Sequence, residues 1–395
     1  MKRDAFNKFL SLYPFPINYY SFNSDEDDIK IIEPDEQMLE NTTQLYFLTG
    51  FSARLIHATL KKSGFFRMDN FEKASIIVGS HNEQSCQPLL KCCQRMTHYQ
   101  YTFVIGRKTG LHRALTRLSI LHHWPIPFYP KTFILPNDSE KFKQSIQSSQ
   151  YWIEKPAAGS CGRGIAIVDK YPDELISAQV IMQEYLANPL LIHGYKFDLR
   201  FYVAVTSLNP LRIYNYGNGL VRLATDNYFD NFDDPTKLSA HLTNFSINKE
   251  NPDFHVTQDV TADGTGSKWS HVPFWPFLQS LNYDVESIKE QIDDAIVQCI
   301  IAARDDLCFQ ANHRFSFELY GFDVLLTVDG KIHILEANIS PALGTSSKLD
   351  LHIKAPLVRD FFNLALIPHR SKITERIDEA FWDADSRLIQ QILQN

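Results

Sequence analysis

The alternation of apolar and polar positions predicts a chain of many strands and few long helices. Between residues 44 and 79, a strand-like LYFLTG is followed by a helix-like ARLIHATLKKSGF and a strand-like ASIIVG, which together indicate a small α/β unit. Much later, Val285–Leu307 repeats apolar residues at helical spacing. We interpret that segment as a long amphipathic helix with a structural role.

A second helical pattern covers Gly106–Leu118, where leucines mark one face and Arg113 and Arg117 mark another. Arginines four residues apart lie side by side on a helix. The pair is either a solvated face or a patch that contacts an anion. With Arg107 and Lys108, it is our candidate for part of a groove that attracts an acidic peptide.

Residues 151–168 read as strand, glycine-rich loop and strand. The glycines let the backbone N–H groups of the loop approach an anion, although a plain hairpin would have the same pattern. The loop is neither a Walker A loop nor a dinucleotide fingerprint, because it leads into a strand. The next apolar strand, Val180–Leu186, either borders a nucleotide base or is simply core.

The segment Gly194–Val205 is a strand with charge on one face, because Lys196, Asp198 and Arg200 alternate with apolar residues. Such a face predicts a charged cleft or an exposed sheet edge. Two further strands and a cluster of hydrogen-bonding side chains follow, at Leu211–Tyr216, Leu220–Ala224 and His241–Ser246.

The chain from Phe317 to Leu343 predicts a hairpin, with a type I′ turn at Asp329-Gly330. If Val328 faces Lys331 across that turn, the residue numbers of the two partners in every facing pair add up to the same value.

That constant sum places Asp323 opposite Glu336 and Gly321 opposite Asn338. Two carboxylates and an amide oxygen on one face suit Mg²⁺, which prefers oxygen ligands. The alternative is an ordinary hairpin with solvated acids.

Composition narrows the class of protein. The chain has 395 residues, 44% of them apolar and 22% charged, which predicts a globular protein of two or three domains. A net charge of −7 argues against nucleic-acid binding. The sequence contains no membrane span or signal peptide, so we expect a cytosolic protein. Its six cysteines lack metal or disulfide spacing and predict reduced thiols.

Seven segments, in this order, resemble the tubulin–tyrosine-ligase-like enzymes. They are KPAAGSCGRGI, QEYL, GYKFDLRFYVAVTSLNPLRIY, GLVRLAT, HLTNFSINK, FELYGFDVLL and ILEANISPAL. The resemblance covers roughly residues 45–368. The segment SSKLDLHIKAPLVRDFFNL is most similar to the glutamate-adding branch, particularly to members that start side chains.

The resemblance implies an α/β fold with an ATP-grasp-like catalytic core and a small amino-terminal α/β domain. We expect a variable leader at 1–40, the amino-terminal domain at 41–135, the catalytic domains at 136–371 and an amphipathic helix at 372–395.

The resemblance also implies roles for particular residues. ATP would be held by Lys155, Arg163, Gly164, Gln183, Glu184, Tyr185, Leu186, Lys196, Asp198, Thr243 and Asn244. Magnesium would be held by Asp323, Glu336 and Asn338, and incoming glutamate by Arg222, Ser246 and Lys268. Arg200, Lys196 and Asp198 would be catalytic.

The implied reaction joins L-glutamate to side-chain carboxylates in an acidic protein tail, with tubulin as the expected partner, through an acyl phosphate. Phe245 stands where the family usually has tyrosine, which leaves glycine open as the incoming amino acid. A ligase for another acidic protein and an inactive nucleotide-dependent tubulin-binding protein are the alternatives. We expect a monomer in the cytoplasm at the cytoskeleton, including a cilium or basal body, with no nucleic acid or membrane partner.

Overall fold

The fold is known from a computed structural model. It describes residues 45–48, 54–68, 74–79, 90, 94–148, 151–157, 159, 162–171, 179–229, 234–249, 251–254, 260–309, 314–365 and 367. The predicted leader at 1–40, the predicted helix at 372–395 and four of the six cysteines lie outside these residues. Cys299 and Cys308 are free thiols, as expected.

A small parallel sheet begins the described chain and confirms the predicted α/β unit. Its strands, in the order β2-β1-β3-β4, are β1 (Leu45–Leu48), β2 (Phe66–Met68), β3 (Ile76–Val78) and β4 (Arg95–Met96). Helix α1 (Arg54–Lys62) connects the parallel neighbours β1 and β2.

The predicted basic helix is divided into α2 (Phe103–Gly106) and α3 (Lys108–His122) by Arg107, which has extended backbone angles. Both glycines near the break are packed closely. A Cβ on Gly106 would lie 2.5 Å from Cγ2 of Ile339, and one on Gly110 would lie 2.6 Å from the Val104 carbonyl oxygen. The leucine face of α3 is buried in the main core, as predicted.

A second, antiparallel sheet has the order β5-β8-β6-β7. Its strands are β5 (Thr132–Leu135), β6 (Trp152–Pro156), β7 (Ala166–Val168) and β8 (Val180–Glu184), and α4 (Ser139–Ser145) follows β5. The pairing of β6 with β7 confirms the strand, loop and strand expected at residues 151–168. Strand β5, which ends at the predicted domain boundary, belongs to this sheet and not to the first.

The largest sheet contains seven strands and has the order β13-β12-β10-β14-β15, with β9 and β11 also paired to β10. The strands are β9 (Leu191–Ile192), β10 (Tyr195–Leu208), β11 (Leu211–Asn215), β12 (Leu220–Leu223), β13 (Lys268–Ser270), β14 (Glu318–Leu326) and β15 (Ile332–Asn338). The three charged residues of β10 are not on an exposed edge, because β9, β12 and β14 pair with this stretch and all three side chains are buried. The cleft interpretation of that face is therefore the correct one.

Helices cover both faces of this sheet. They are α5 (Leu238–His241), α6 (Phe245–Asn248), α7 (His271–Ser280), α8 (Val285–Leu307) and α9 (Lys348–Leu364). Helix α8 has the predicted bounds and packs with α3 and α7 against Leu199, Phe201 and Val203 of β10. Helix α9 packs on the opposite face, against Tyr202 and Ala204. No helix among the described residues has both the length and the apolar content to cross a bilayer.

The β14–β15 hairpin confirms two predicted pairs and corrects the turn. Asp323 faces Glu336 and Gly321 faces Asn338, as expected. The turn is not type I′, because the amide of Thr327 donates to the carbonyl of Lys331 at 3.0 Å and a three-residue loop lies between them. Next to the turn, the strands are therefore paired one residue away from the expected register. A bulge between Asp323 and Val324 shifts the pairing by one residue, so that the expected register is present from Asp323 onward.

Candidate active site

Two connected clefts open where the charged face of β10 meets the second sheet. The inner cleft is lined by residues that include Ile153, Tyr185 and Lys196. The outer cleft is lined by residues that include Arg107 and Arg222. Their shared lining residues include Lys108, Lys155, Gly159, Gln183 and Glu336. A ligand in the inner cleft therefore lies next to one in the outer cleft.

Two buried lysines line the inner cleft. The ammonium of Lys155 donates to the side-chain oxygen of Gln183 at 2.7 Å, and that of Lys196 donates to the Tyr185 hydroxyl at 3.1 Å. Burial lowers the pKa of Lys155 to about 8 and that of Lys196 to about 7. No carboxylate of the described chain forms an ion pair with either group. Buried cations without a counterion fit a polyanionic ligand.

Hydrogen bonds behind these lysines fix their positions. Gln183 donates to the hydroxyl of Thr132 at 2.9 Å, and this orients the oxygen that accepts from Lys155. The Tyr185 hydroxyl lies 2.7 Å from Nδ1 of His241, whose Nε2 lies 3.1 Å from the Asp234 carbonyl. Since a carbonyl only accepts, Nε2 donates and Nδ1 accepts from Tyr185. His241 belongs to the hydrogen-bonding cluster noted at His241–Ser246, whereas no sequence pattern indicated Thr132.

The residues expected at ATP mostly line one wall of the inner cleft. Gln183, Glu184, Tyr185 and Leu186 do so at the end of β8. Arg163 lines the cleft from the glycine loop and is exposed. Gly164 lies in the same loop with a positive φ of 71°, and its missing Cβ leaves room for Pro156. It contributes to the shape of the loop and not to the cleft wall.

Thr243 and Asn244 also line the inner cleft, and Ser246 lines the outer cleft. Asn244 approaches the glycine loop closely, since a Cβ on Gly162 would lie 3.2 Å from its side-chain oxygen. Phe245, which by the resemblance replaces a tyrosine, lines the outer cleft and is exposed.

Buried arginines and aspartates connect three strands of the large sheet. Arg222 on β12 forms a bidentate pair with Asp198 on β10, its neighbour in the register. Arg200 on β10 pairs in the same way with Asp323 on β14, at 2.5 and 3.0 Å. Arg222 also lies 2.9 Å from Asp323. Burial raises the pKa of Asp323, but Arg200 and Arg222 outweigh it, so this pKa lies well below the usual range.

The three residues expected at magnesium lie at one end of the hairpin. Glu336 is a quarter exposed and lies 3.5 Å from the ammonium of Lys108. The Asn338 amide donates to Glu336 at 3.1 Å, which leaves its own oxygen available as an acceptor. The described residues contain no group of three His, Cys, Asp or Glu side chains that would hold a metal unaided. Two carboxylates and an amide oxygen fit Mg²⁺ completed by water and phosphate.

Lys268 of β13, which is expected to bind glutamate, lies directly opposite Arg222 of β12. Its ammonium is bound by a residue of helix α9. Its ammonium donates to Asp350 of α9 at 3.0 Å, and Asp350 also pairs with Lys354 at 2.8 Å. The Lys268 ammonium lies 5.6 Å from the ring centre of Phe245. Two lysines around one aspartate leave a net positive charge beside the outer cleft.

The four basic residues proposed as one groove are in two places. Arg107 and Lys108 line the outer cleft. Arg113 and Arg117 line a separate groove beside β5 and α4, where Arg117 pairs with Asp306 at 2.5 Å. The single groove expected from the sequence is therefore wrong, because Arg113 and Arg117 extend from a different side of α3 than Lys108 does.

The sequence of the chain matches those of known proteins. The tubulin-tyrosine ligase family pattern matches residues 83–374. Tubulin monoglutamylase TTLL4 of Mus musculus is 39% identical over 280 residues, which cover 69% of this chain and 23% of that protein. Tubulin polyglutamylase TTLL5 of Homo sapiens is 32% identical over 328 residues, which cover 81% and 26%.

A third relative, probable tubulin polyglutamylase TTLL2 of Homo sapiens, is 37% identical over 287 residues, which cover 70% of this chain and 47% of that protein. The chain thus spans between 23% and 47% of the length of these curated relatives. The matched region includes both clefts, the arginine and aspartate pairs and the hairpin. The chain belongs to the tubulin-tyrosine ligase family.

Proposed function

We propose that this protein is an ATP- and Mg²⁺-dependent ligase with an ATP-grasp-like core. It adds L-glutamate through an isopeptide bond to glutamate side chains in acidic protein tails, with tubulin as the acceptor. The names of its relatives support glutamylation of tubulin, and the donor sets of the two clefts support the chemistry. Its place of action is then the microtubule cytoskeleton.

The inner cleft suits ATP. Ile153, Leu325 and Leu335 provide apolar contacts for the base, next to the backbone at the end of β8. Lys155 and Lys196 meet the phosphates as ammonium ions, which a bound polyanion favours. Glu336, Asn338 and Asp323 would hold magnesium, which supplies charge neutralisation for the transferred phosphoryl group.

The acceptor carboxylate belongs in the outer cleft, at the border that the two clefts share. The bond between the γ-phosphorus and the bridging oxygen of ATP breaks as an acceptor carboxylate oxygen bonds to phosphorus, and ADP leaves. The α-amine of glutamate then attacks the acyl carbon, inorganic phosphate leaves with its oxygen, and the amine loses a proton. Arg200 faces this border from β10 and stabilises negative charge on the reacting groups.

The incoming glutamate is assigned to the part of the outer cleft near Arg222 and Ser246. Asp198 and Asp323 hold Nε and Nη2 of Arg222, so its Nη1 group is the part that would bind one carboxylate. The positive charge around Lys268 and Lys354 attracts the other. Glycine has a single carboxylate and gains nothing from this second positive charge. The two lysines around Asp350 are the observation that favours glutamate over glycine.

One observation carries the proposal: the buried lysines of the inner cleft and the carboxylates of the hairpin face a shared border. To test it, purified tubulin is incubated with the full chain, ATP, Mg²⁺ and either glutamate or glycine, and its tail peptides are analysed by mass spectrometry. We expect added glutamate on tail glutamates, only with ATP and Mg²⁺. Glycine addition, or no addition to any acidic tail, would refute the assignment.

A further inference from the structure

Thr132 of strand β5 lies outside the inner cleft but next to a side chain that holds one of its lysines. Its own side chain lines the separate groove that also contains Arg113 and Arg117. It does not belong to the described residues that line the two clefts. The register places Thr132 directly opposite Gln183 of β8, and facing side chains of neighbouring strands share one face of the sheet.

Three side chains from three adjacent strands form one row of hydrogen bonds. Lys155 of β6 faces Ile181 in the register, so Gln183 is its diagonal neighbour on the same face. The Thr132 hydroxyl donates to the Pro130 carbonyl at 2.7 Å, and its oxygen accepts from the Gln183 amide nitrogen at 2.9 Å. The amide oxygen of Gln183 then faces the Lys155 ammonium at 2.7 Å. Because a carbonyl only accepts and an ammonium only donates, these contacts fix the orientation of the Gln183 amide.

Burial makes this orientation consequential. Gln183 is 2% exposed and Lys155 is 7% exposed, so water has little access to replace a lost partner. Without the Thr132 hydroxyl, the buried N–H groups of the Gln183 amide would lack this acceptor, which is costly. If the amide rotated to compensate, it would present N–H groups to an ammonium that also has only N–H groups to offer. In either case the Lys155 ammonium is held less well.

We propose that Thr132 is a positioning residue for nucleotide binding, which acts through Gln183 to hold the Lys155 ammonium toward the phosphates of ATP. This inference rests on the proposed function for the identity of the ligand. Thr132 does not touch the nucleotide, and its effect is to decide which atom of the Gln183 amide faces the lysine. The hydroxyl is the essential group. Serine can therefore replace Thr132, whereas valine, which has nearly the same shape, cannot.

Equilibrium binding of Mg·ATP to the full chain, measured by calorimetry without acceptor, tests the role of the hydroxyl. Thr132→Val should raise the Kd of Mg·ATP by about tenfold. The affinity for adenosine, which lacks phosphates and is measured by competition, should change by less than about twofold. Thr132→Ser should keep the wild-type Kd. Thr116→Val makes the same exchange in the same groove, on helix α3, and should leave both affinities unchanged.

A double-mutant cycle separates positioning from a general effect on the fold. In a Gln183→Met background the row is already broken, so Thr132→Val should weaken Mg·ATP no further.

Equal losses in both backgrounds, an equal loss for adenosine, or an unchanged Kd in Thr132→Val would each overturn the inference. Thr132→Ala, which adds no bulk, gives the same comparison if the valine variant does not fold. A wild-type chain that binds Mg·ATP but does not ligate glutamate would refute the proposed function and leave this test intact.

Discussion

Asp323 and Glu336 face each other across the β14–β15 hairpin, yet their carboxylates have very different surroundings. Asp323 is buried between Arg200 and Arg222, whereas Glu336 is a quarter exposed, accepts from the Asn338 amide and has a long contact to Lys108. Substitutions at these two positions therefore test different things.

Glu336→Gln should abolish ligation and leave stability almost unchanged. Removing the charge of a partly exposed carboxylate whose ion-pair partner lies 3.5 Å away costs about 1 kcal/mol or less. The same change removes one of the two carboxylates assigned to Mg²⁺. Calorimetric titration of Mg·ATP should show weaker binding, while the melting temperature stays close to that of the wild type. Near-normal turnover would mean that Glu336 holds no metal.

Asp323→Ala should abolish ligation and also destabilise the fold, by about 3–5 kcal/mol, because it leaves two buried arginines without their shared counterion. Denaturant unfolding without ligands measures this loss. The matched variant Asp329→Ala, in the exposed turn of the same hairpin, should change the unfolding free energy far less. Equal losses at both positions would show that the buried network contributes little.

Nucleotide affinity should fall as pH rises from 7 to 9. Burial lowers the pKa of Lys155 to about 8 and that of Lys196 to about 7, so both lose their protons in the free protein within this range. A bound polyanion requires the protonated forms, and binding must then take up protons. Each pH unit above the pKa of one of these lysines weakens the binding free energy by about 1.4 kcal/mol. The Kd should therefore rise by an order of magnitude or more.

The stability of the nucleotide-free protein should change in the opposite direction. The unfolded chain keeps both lysines protonated up to about pH 10.4, so it binds more protons than the folded chain above pH 7, and stability rises there. Lys196→Arg retains its charge and should flatten the pH dependence of binding. The nucleotide's own titration is identical in both proteins. Parallel wild-type and variant profiles would rule out Lys196 as the group responsible.

Lys268→Ala should raise the KM for glutamate by about ten- to a hundredfold and leave ATP binding unchanged. Asp350 would keep its pair with Lys354, so the fold should tolerate the change. Initial rates at varied glutamate and fixed saturating ATP give this KM. Lys289→Ala, remote from the cleft on the surface of α8, is the control. An unchanged KM would show that Lys268 serves only to anchor α9.

Charge reversal at Arg107 should raise the acceptor KM, whereas charge reversal at Arg113 should not. Arg107 lines the outer cleft and Arg113 lines the separate groove beside β5. The wild-type acceptor KM should also rise with salt, since exposed charges more than about 10 Å apart are largely screened at 0.1 M. Rates at varied tail-peptide concentration measure both effects. A larger effect at Arg113 would place the acidic tail in the other groove.

Local patterns in the sequence were sufficient for most elements of the fold. The spacing of apolar residues located α8, the alternation of charge located β10, and the order of motifs indicated the family. These features depend on which residues share one face of a helix or strand, and near neighbours in the chain determine that.

The hairpin shows where local reasoning fails. The expected pair of Asp323 and Glu336 is present although the expected turn is wrong, because a bulge adds the residue by which the turn register differs. A bulge depends on packing around both strands, and residue spacing alone does not indicate it.

The sequence by itself determined the class of fold, the family and the charged residues available for chemistry. Only the tertiary structure decided which of these residues meet. It joined Lys268 to Asp350, 82 residues later, and Lys108 to Glu336 from another part of the chain. It also placed Arg107 and Lys108 in one groove and Arg113 and Arg117 in another. The reason is physical, because contacts between distant segments depend on how the sheets and helices pack. A local pattern of side chains does not determine that packing.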